Sequence, residues 1–368
     1  MSGTSMDSID AVLTKIDGSS LEVIAQHAHE IPESIIARLS MALDTASLSA
    51  LDLWQLDAAL GALFADSVNS LLATERLSAE QVTAVGSHGQ TLFHAPESEP
   101  ALSIQIADPN IIATQTGITT VADFRRMDIA AGGQGAPLTP AFHAFAFSAL
   151  EYTRGILNIG GIANLTILPP TSPPISPEPY VIGFDTGPGN TLLDGWTREQ
   201  LGKAYDDGGR WAATGTVITD LLDTALADEY FARPAPKSTG LEYFNRRWLG
   251  ALLAQHPHQR AVDVQRTLCE LTAQSAANAL QSHTQQCTEL FVCGGGALNL
   301  TVMGALGDQL PHCRIACTEE LGVPAKSVEG AAFAWLAHER LQALAAVPAS
   351  ITGARHAACL GAIYQPRP

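Results

Sequence analysis

The sequence has few charged residues and little positive charge. Only 15% of its 368 residues are charged, and 20 Lys and Arg stand against 37 Asp and Glu, for a formal net charge of -17. Nucleic acid and anionic membrane surfaces require a basic footprint, so neither is predicted as a main partner. With 46% hydrophobic residues, the chain can bury a large core.

Targeting segments and paired cysteines are also missing. No run of about 18 apolar residues occurs, so no membrane span is expected. Residues 1–7 have neither a basic region nor an apolar core, which excludes a signal peptide as an interpretation. The six cysteines form no CxxC pair. Their scatter is typical of reduced structural thiols in a cytoplasmic protein and does not favour a zinc site.

The length predicts about two domains. Strand patterns alternate with helical ones, which favours an α/β protein. The strand patterns cover 9–16, 20–31, 82–85, 103–106, 119–122, 155–168 and 289–293, and the clearest helical patterns start at Ser49, Asp263 and Ser327.

Two glycine-containing turns stand at related places. One precedes the strand 9–16, and the other, Gly160-Gly161, joins two strands about 155 residues later. Two related halves, each opening with a hairpin, are therefore expected, and small polar hairpin tips expose N–H groups that suit phosphates. The first turn has only two residues before it. It is either an unsupported tail or the remainder of a hairpin whose first strand is absent from this chain.

One carboxylate follows an apolar run in the second half. The run 181–184 is typical of a buried strand, and the Gly-Pro-Gly at 187–189 is predicted to end it. Asp185 is therefore expected at the carboxyl end of a strand, where ligands bind in open α/β sheets. The alternative is a turn or N-cap aspartate.

Two further segments are rich in glycine. Residues 123–138 combine two arginines, two aspartates and three glycines, and they form either a shaped loop or a solvated linker. The strand 289–293 meets Gly294-Gly295-Gly296, which is similar to a nucleotide-edge loop but lacks the spaced Rossmann fingerprint.

Taken together, these motifs resemble those of the anhydro-N-acetylmuramic acid kinases over nearly the whole chain. Eight motifs occur in series, and in order they are Gly-Thr-Ser-Met-Asp at 3–7, Ser-His-Gly-Gln-Thr at 87–91, Asp-Phe-Arg at 123–125, Gly-Gly-Gln-Gly-Ala-Pro-Leu at 132–138, Asn-Ile-Gly-Gly-Ile-Ala-Asn at 158–164, Gly-Phe-Asp-Thr-Gly-Pro-Gly-Asn at 183–190, Lys-Ser-Thr-Gly at 237–240 and Gly-Gly-Gly at 294–296.

The resemblance implies a two-domain actin-like (ribonuclease H-like) ATPase fold with a duplicated hairpin-led mixed sheet. We expect the first domain to comprise residues 1–122 and about 345–368, and the second to comprise 123–344. In such enzymes a strand precedes the Gly-Thr-Ser loop, and here that strand is missing, which is expected to weaken phosphate binding.

The implied reaction uses ATP, Mg²⁺ and water. It opens the 1,6-anhydro bond of 1,6-anhydro-N-acetylmuramic acid and gives N-acetylmuramic acid 6-phosphate and ADP, a step of peptidoglycan recycling in the cell wall. The alternatives are an actin-like kinase for another amino sugar and a non-catalytic nucleotide- or sugar-binding module.

The motifs also imply the roles of residues. Asp185 is the expected base. The expected nucleotide-binding residues are Gly3, Thr4, Ser5, Met6, Asp7, Ser8, Ile9, Asp10, Gly160, Gly161, Asn164, Lys237, Ser238, Gly240, Gly294, Gly295 and Gly296. The candidates for the sugar are Ser87, His88, Gln90, Arg125 and Glu329.

Several of these roles have a simpler alternative. Arg125 is expected to pair with the lactyl carboxylate of the sugar. A structural hydrogen bond is an equal alternative for His88, and a solvated helix-end carboxylate is the alternative for Glu329. Protein ligands for magnesium are not assigned beyond an indirect one, Asp7. Lys326 stands where relatives often carry an acidic residue. The resemblance also implies a cytoplasmic homodimer.

Overall fold

The computed structural model describes residues 1–3, 8–18, 20–45, 49–172, 181–235 and 237–366. Within them the strands are β1 (Ser8–Asp17), β2 (Ser20–Glu30), β3 (Val85–Ser87), β4 (Gln90–Ala95), β5 (Leu102–Ile106), β6 (Thr120–Ala122), β7 (Thr153–Ile159), β8 (Ile162–Leu168), β9 (Ile182–Pro188), β10 (Cys287–Cys293), β11 (Arg314–Cys317) and β12 (Ala362–Tyr364).

The α-helices of the same residues alternate with these strands. They are α1 (Glu33–Thr45), α2 (Ala50–Glu75), α3 (Pro109–Thr116), α4 (Phe124–Ala130), α5 (Thr139–Phe147), α6 (Asn190–Leu201), α7 (Thr219–Leu226), α8 (Glu229–Ala232), α9 (Arg246–Ala254), α10 (Ala261–His283), α11 (Leu300–Gln309), α12 (Val328–Leu341) and α13 (Ala349–Thr352).

The chain divides into two compact units. Unit 1 comprises Met1–Ala146 and Ser327–Pro368, and unit 2 comprises Phe147–Lys326. These limits differ from the expected ones, which gave 123–146 and 327–344 to the second domain. Both segments belong to unit 1 because α4 contacts β5, and α12 contacts β1 and β3.

Unit 2 is built on one continuous five-stranded sheet in the order β11-β10-β7-β8-β9. β7, β10 and β11 run parallel, and β8 is antiparallel to both β7 and β9. The central strand β7 is almost entirely buried, and so is the carboxyl half of β10, Leu290–Cys293, as expected for parallel strands that are covered on both faces. The carboxyl ends of β7 and β10 therefore lie side by side at one edge of this sheet.

Unit 1 contains the hairpin β1–β2, the mixed sheet β12-β6-β3 and the hairpin β4–β5. β3 is parallel to β6, and β12 is antiparallel to it. Each unit thus begins with an antiparallel hairpin and contains a mixed sheet. The predicted α/β class with a duplicated hairpin-led sheet is confirmed.

The long helix α2 is a core element of unit 1. Its side chains Leu56, Leu60 and Phe64 join a buried cluster with Ile9 and Leu39. By length and composition alone α2 is also apolar enough to cross a membrane. Its contacts with β1, β2 and α3 account for the apolar face, since a core helix needs the same composition.

Candidate active site

Asp185 lies in the middle of β9, and the prediction that it ends a strand is wrong. β9 continues through Thr186-Gly187 to Pro188. It can do so because β9 is the edge strand of the sheet, where a proline does not remove a required ladder hydrogen bond. The register of β8 and β9 shifts between Ala163 and Asn164, where Thr186 is the extra residue on β9, so Asn164 lies opposite Asp185.

A segment from elsewhere in unit 2 covers this edge. The Asp185 N–H donates to the Lys237 carbonyl at 3.0 Å, and the Thr239 N–H donates to Asp185 Oδ2 at 3.0 Å. The Tyr230 hydroxyl donates to the Asp185 carbonyl at 2.7 Å. The backbone of Asp185 is therefore held on both of its polar groups, and one carboxylate oxygen has a fixed donor.

The surroundings of Asp185 make its carboxyl group a base at neutral pH. Burial raises the pKa of Asp185 to about 7; the Thr239 N–H and Lys237 lower it, while the negative charge of Glu242 raises it. The residue still keeps part of its surface exposed. A group with a pKa near the working pH is well suited to accept a proton from a reactant.

The predicted residues Lys237, Ser238 and Gly240 belong to the same segment as Thr239. Lys237 Nζ donates to the carbonyls of Tyr230 and Phe231, at 3.2 Å each, and lies 4.7 Å from the centre of the Tyr230 ring. Ser238 is exposed. A Cβ on Gly240 would overlap the Glu242 carboxylate. The segment thus contacts Asp185 through the Lys237 carbonyl and the Thr239 N–H. The predicted nucleotide-binding role of Lys237, Ser238 and Gly240 stays a prediction.

The tip of the β7–β8 hairpin is shaped by the start of α6. The Gly160 carbonyl accepts from Asn190 N at 2.8 Å, and the Gly161 carbonyl accepts from Gly189 N at 2.9 Å. Within the described residues, the N–H groups of Gly160 and Gly161 donate to no hydrogen-bond acceptor. Two adjacent N–H groups on a fixed tip are suited to bind an anion.

The triple-glycine loop lies at the same edge as this tip. Gly294 has φ of +78°, and a Cβ there would overlap Asn158. A Cβ on Gly296 would overlap Ile159 on β7. The Asn190 side chain donates to the Ile159 carbonyl at 3.0 Å and lies close to Gly295 and Gly296. Glycine is required because two backbones approach closely, and the loop lies beside the hairpin tip.

In unit 1 the predicted sugar residues His88 and Arg125 are in direct contact. The Nε and Nη2 atoms of Arg125 lie 3.1 and 2.9 Å from His88 Nε2, and Nη1 donates to the Gly135 carbonyl at 2.8 Å. His88 Nδ1 lies 3.0 Å from the Gly89 carbonyl. This geometry requires a neutral imidazole with its proton on Nδ1, and burial keeps the pKa of His88 well below its usual value.

Arg125 is a half-buried cation whose hydrogen-bond partners among the described residues are neutral groups. Burial lowers the pKa of Arg125 to about 10, although Glu329 and Asp128 raise it. Among the described residues no carboxylate lies within ion-pair distance of its guanidinium. Burying such a charge is costly unless an anion compensates it. The remaining N–H groups of Arg125 therefore favour an anionic ligand.

Two neighbouring polar side chains have atoms without a partner. Ser87 at the end of β3 and Gln90 at the start of β4 are 3% and 2% exposed. Ser87 Oγ and Gln90 Oε1 form no hydrogen bond with the described residues. Both flank His88 in the chain. Buried polar atoms are rarely left unsatisfied in folded proteins, so these atoms are suited to a polar ligand.

The segment 123–138 consists of α4 and the shaped loop that follows it, and it belongs to unit 1. Its centre is the buried Asp128, which accepts from Gly135 N at 2.7 Å and from Thr352 Oγ1 at 2.6 Å. A Cβ on Gly133 would overlap the Asp128 carboxylate, and Gly135 has φ of +71°. The loop fixes the Gly135 carbonyl that binds Arg125.

The remaining predicted residues lie at the starts of the two chain segments that form unit 1. Glu329 lies in the first turn of α12, is half-buried, and interacts electrostatically with Arg125. Ser8 Oγ donates to Asp10 Oδ1 at 3.0 Å, whereas the Ile9 side chain is in the core. Among the described residues, no heavy atom lies within 4 Å of a Cβ built on Gly3. Thr4, Ser5, Met6 and Asp7 lie outside the described residues.

Comparison with known proteins gives one consistent result. The sequence profile of the anhydro-N-acetylmuramic acid kinase family matches residues 1–366. The chain belongs to the anhydro-N-acetylmuramic acid kinase family. A member from Shewanella sediminis is 47% identical over 364 residues, covering 99% of this chain and 97% of its own. One from Pasteurella multocida is 46% identical over 365 residues, with coverage of 99% and 95%.

Solved structures match less closely. The activator of the 2-hydroxyisocaproyl-CoA dehydratase from Clostridium difficile, with bound ADPNP, is 10% identical, with a TM-score of 0.41 and coverage of 91% of this chain and 98% of that one. The family assignment therefore rests on the sequence relatives. It confirms the predicted family and enzyme class, a phosphotransferase.

Some residues of the candidate site were missed by sequence reasoning. Tyr230, Thr239 and Glu242 surround Asp185, Asn190 lies between the hairpin tip and the triple-glycine loop, and Asp128 organises the loop behind Arg125. Thr239 acts through its backbone, so its side-chain type carries no signal. Asn190 is part of a family motif and was within reach of sequence reasoning.

Proposed function

We propose that this member of the anhydro-N-acetylmuramic acid kinase family hydrolyses the 1,6-anhydro bond of 1,6-anhydro-N-acetylmuramic acid and phosphorylates O6 with ATP. The observation that carries the mechanism is Asp185, whose carboxylate has one fixed donor and a pKa of about 7. It lies in the family's Gly-Phe-Asp-Thr-Gly-Pro-Gly-Asn motif. A base of this kind contributes roughly 10²–10⁴-fold to a rate.

Asp185 would accept a proton from the attacking water. The water oxygen forms a bond to C1 as the C1–O6 bond breaks, and O6 forms a bond to the γ-phosphorus as ADP leaves. The products are N-acetylmuramic acid 6-phosphate, ADP and one proton, which Asp185 passes to solvent. A glycosidase uses a second carboxyl group as the acid. Here the γ-phosphate captures the leaving oxygen, so one carboxylate is sufficient.

The sugar would be bound by unit 1 through its carboxylate. Arg125 has free guanidinium N–H groups and no anionic partner within ion-pair distance among the described residues. A guanidinium pairs well with a carboxylate through two parallel hydrogen bonds. His88 would position Arg125, and the unpartnered atoms of Ser87 and Gln90 would bind hydroxyl or amide groups of the sugar. Glu329 lies close to the same cation.

The phosphates of ATP would be bound by backbone N–H groups. The N–H groups of Gly160 and Gly161, which have no acceptor among the described residues, support this assignment, and the Gly294–Gly296 loop packs against the end of β7 beside them. Phosphoryl transfer depends mainly on such positioning and charge stabilisation. Asn164, Ser8 and Asp10 remain proposed contributors, as do Gly3 and the residues Thr4 to Asp7.

We expect Mg²⁺ to be bound mainly by phosphate oxygens and water, with Asp7 as an indirect ligand. Among the described residues there is no group of three or more His, Cys, Asp or Glu side chains that could hold a metal ion. The ion would neutralise charge on the phosphates. Asp185 is assigned to the water and not to the metal.

We also infer a cytoplasmic homodimer without nucleic acid or membrane partners. The net charge of -17 supports the absence of nucleic acid, and free cysteines are typical of a reducing compartment. Light scattering after size exclusion tests the dimer, and a monomeric mass at micromolar concentration would contradict it.

The decisive experiment is mass spectrometry of the product formed in oxygen-18 water. We expect the label at C1 and the phosphate at O6 of the same molecule. Phosphorylation of plain N-acetylmuramic acid or N-acetylglucosamine, with the anhydro sugar inert, would instead identify a kinase for another amino sugar. ATP and sugar binding without any product would identify a non-catalytic binding module.

A further inference from the structure

Two cysteines lie together at the amino ends of β10 and β11 in unit 2. Cys287 is the first residue of β10, and Cys313 directly precedes β11. The two strands are paired in parallel with Glu289 opposite Arg314, which makes the cysteines diagonal neighbours across the pair. Cys287 Sγ donates to the Glu289 carbonyl at 3.1 Å and Cys313 Sγ lies 3.9 Å from the Arg314 carbonyl. Each thiol shifts the pKa of the other, and neither cysteine is in a disulfide.

Both thiols can be reached from solvent. They line the same open cavity of about 90 Å³, together with Leu280, Thr284, Leu310 and His312. Cys287 and Cys313 are partly exposed, whereas Cys269 and Cys293 are fully buried. A small oxidant can therefore reach this pair and not the two buried thiols.

We propose that Cys287 and Cys313 form a reversible disulfide when the protein meets a peroxide. The Cys287 thiolate attacks one peroxide oxygen, the O–O bond breaks, and Cys287 sulfenic acid and one water form. The Cys313 sulfur then attacks the Cys287 sulfur and displaces the second water. Two thiols and one hydrogen peroxide thus give one disulfide and two water molecules.

The order of attack follows from the effect of the thiols on each other. The neighbouring Cys313 lowers the pKa of Cys287, and Cys287 raises the pKa of Cys313, while the nearby Glu289 charge opposes ionisation of both. The sulfur with the lower pKa has more thiolate at neutral pH and reacts first. Cys287 is therefore the peroxide-reactive residue and Cys313 the resolving one.

The disulfide would join the starts of two strands in the unit that holds Asp185. It would close a segment containing the loop Gly294–Gly296 and α11. A cross-link of this kind stabilises a fold mainly by restricting the unfolded chain. The inference depends on the two thiols alone and stands apart from the kinase reaction.

The test is treatment of the full chain with hydrogen peroxide, followed by non-reducing digestion after glutamate residues. Cleavage at Glu270 and Glu289 gives a peptide, 271–289, that contains Cys287 as its only cysteine. We expect this peptide to be linked to the peptide 290–319, which contains Cys293, Cys313 and Cys317, with a mass lower by about 2 Da than the sum of the two thiol peptides. Fragment ions of the linked pair should place the link at Cys313. Dithiothreitol should restore both thiols.

Matched variants define the two roles. With Cys313→Ser, Cys287 should accumulate as a sulfenic acid that dimedone traps, and with Cys287→Ser neither product should form. Cys359, a partly exposed thiol in unit 1, is the internal control. A link from Cys287 to another cysteine, equal oxidation of Cys359, or two intact thiols after treatment would each overturn the proposal.

Discussion

Asp185 in unit 2 and Arg125 in unit 1 are both desolvated ionisable groups, but the protein holds them differently. The pKa of Asp185 is raised to about 7, where either protonation state is accessible, and a backbone N–H binds one of its oxygens. The pKa of Arg125 is lowered to about 10, so it stays a cation, and only neutral acceptors bind it. The first arrangement is suited to proton transfer, and the second is suited to binding an anion.

The largest expected effect comes from Asp185→Asn. Asparagine keeps the shape and an acceptor for the Thr239 N–H, but it cannot accept a proton from water. We expect kcat to fall by roughly 10²–10⁴-fold with ATP binding unchanged. Steady-state kinetics and calorimetric titration with a non-hydrolysable ATP analogue measure the two quantities. Turnover close to that of the wild type would contradict the assignment of the base.

The same variant has a stability signature that excludes simple misfolding. The folded state favours protonated Asp185, so the contribution of this group to the free energy of unfolding is fully present below the unfolded-state pKa of Asp, about 4. That contribution is lost as the pH rises through the folded-state pKa of about 7. Asp185→Asn should therefore melt at a higher temperature than the wild type at pH 8, with the difference disappearing near pH 4. A lower melting temperature at pH 8 would show that the activity loss includes unfolding.

Arg125→Gln should weaken sugar binding and leave the base in place. Removing one partner of a buried charge-assisted pair costs about 2–5 kcal/mol, which is about 30-fold to several thousand-fold in kcat/KM. Arg126→Gln is the matched control, because Arg126 is 67% exposed and pairs with Asp123 at the surface. The penalty of Arg125→Gln should nearly vanish with an anhydro sugar that lacks the lactyl carboxylate. An equal penalty on both sugars would mean that Arg125 does not bind that group.

The contrast between Asp185 and Arg125 also shows which features of the site could be predicted from the sequence. The residue types were predictable, because a carboxylate after an apolar run and an arginine in a glycine-rich segment carry local signals. The partners of these residues were not predictable, because they are distant in the sequence. Thr239 N, which donates to Asp185, is 54 residues away, and His88, which binds Arg125, is 37 residues away. The length of β9 depended on its edge position in the sheet, which the motif itself does not encode. Likewise, α12 belongs to unit 1 through its packing on β1 and β3.

A smaller loss of activity is expected from a change in the loop that supplies the Gly135 carbonyl to Arg125. Gly133→Ala would place a Cβ on the Asp128 carboxylate, and overpacking of this kind typically costs about 1–3 kcal/mol. We expect a lower melting temperature and a loss of about 10-fold in kcat/KM, because the Gly135 carbonyl would shift away from Arg125. The loss should appear mainly in KM for the sugar, and KM for ATP should stay unchanged.

The control for this variant is a helical glycine with open space around it. In the part of the chain that the structure describes, no heavy atom lies within 4 Å of the place that a Cβ on Gly304 in α11 would occupy, so Gly304→Ala should stabilise the protein by about 0.5–1 kcal/mol. Equal melting temperatures for the two alanine variants would contradict the role of the Asp128 contact.

The smallest effect concerns the pH dependence of the reaction. The base must be ionised, so kcat/KM should rise with pH through about 7, the pKa of Asp185, and reach a plateau above it. The charged or titratable groups that face Asp185 are Glu242, Lys237 and Tyr230. Glu242 disfavours the ionised carboxylate, so Glu242→Gln should move the rising limb of the pH profile of kcat/KM to lower pH. The movement should be small, because burial and not Glu242 is the main cause of the raised pKa.

The matched variant for that shift is Lys237→Met. Lys237 lowers the pKa of Asp185, so its removal should move the limb in the opposite direction, to higher pH, and Arg125→Gln should leave its position unchanged. Opposite movements for Glu242→Gln and Lys237→Met would identify Asp185 as the titrating group, since both side chains act on it through charge alone. A limb that stays fixed in both variants would mean that the observed pKa belongs to another group, such as a phosphate of the bound nucleotide.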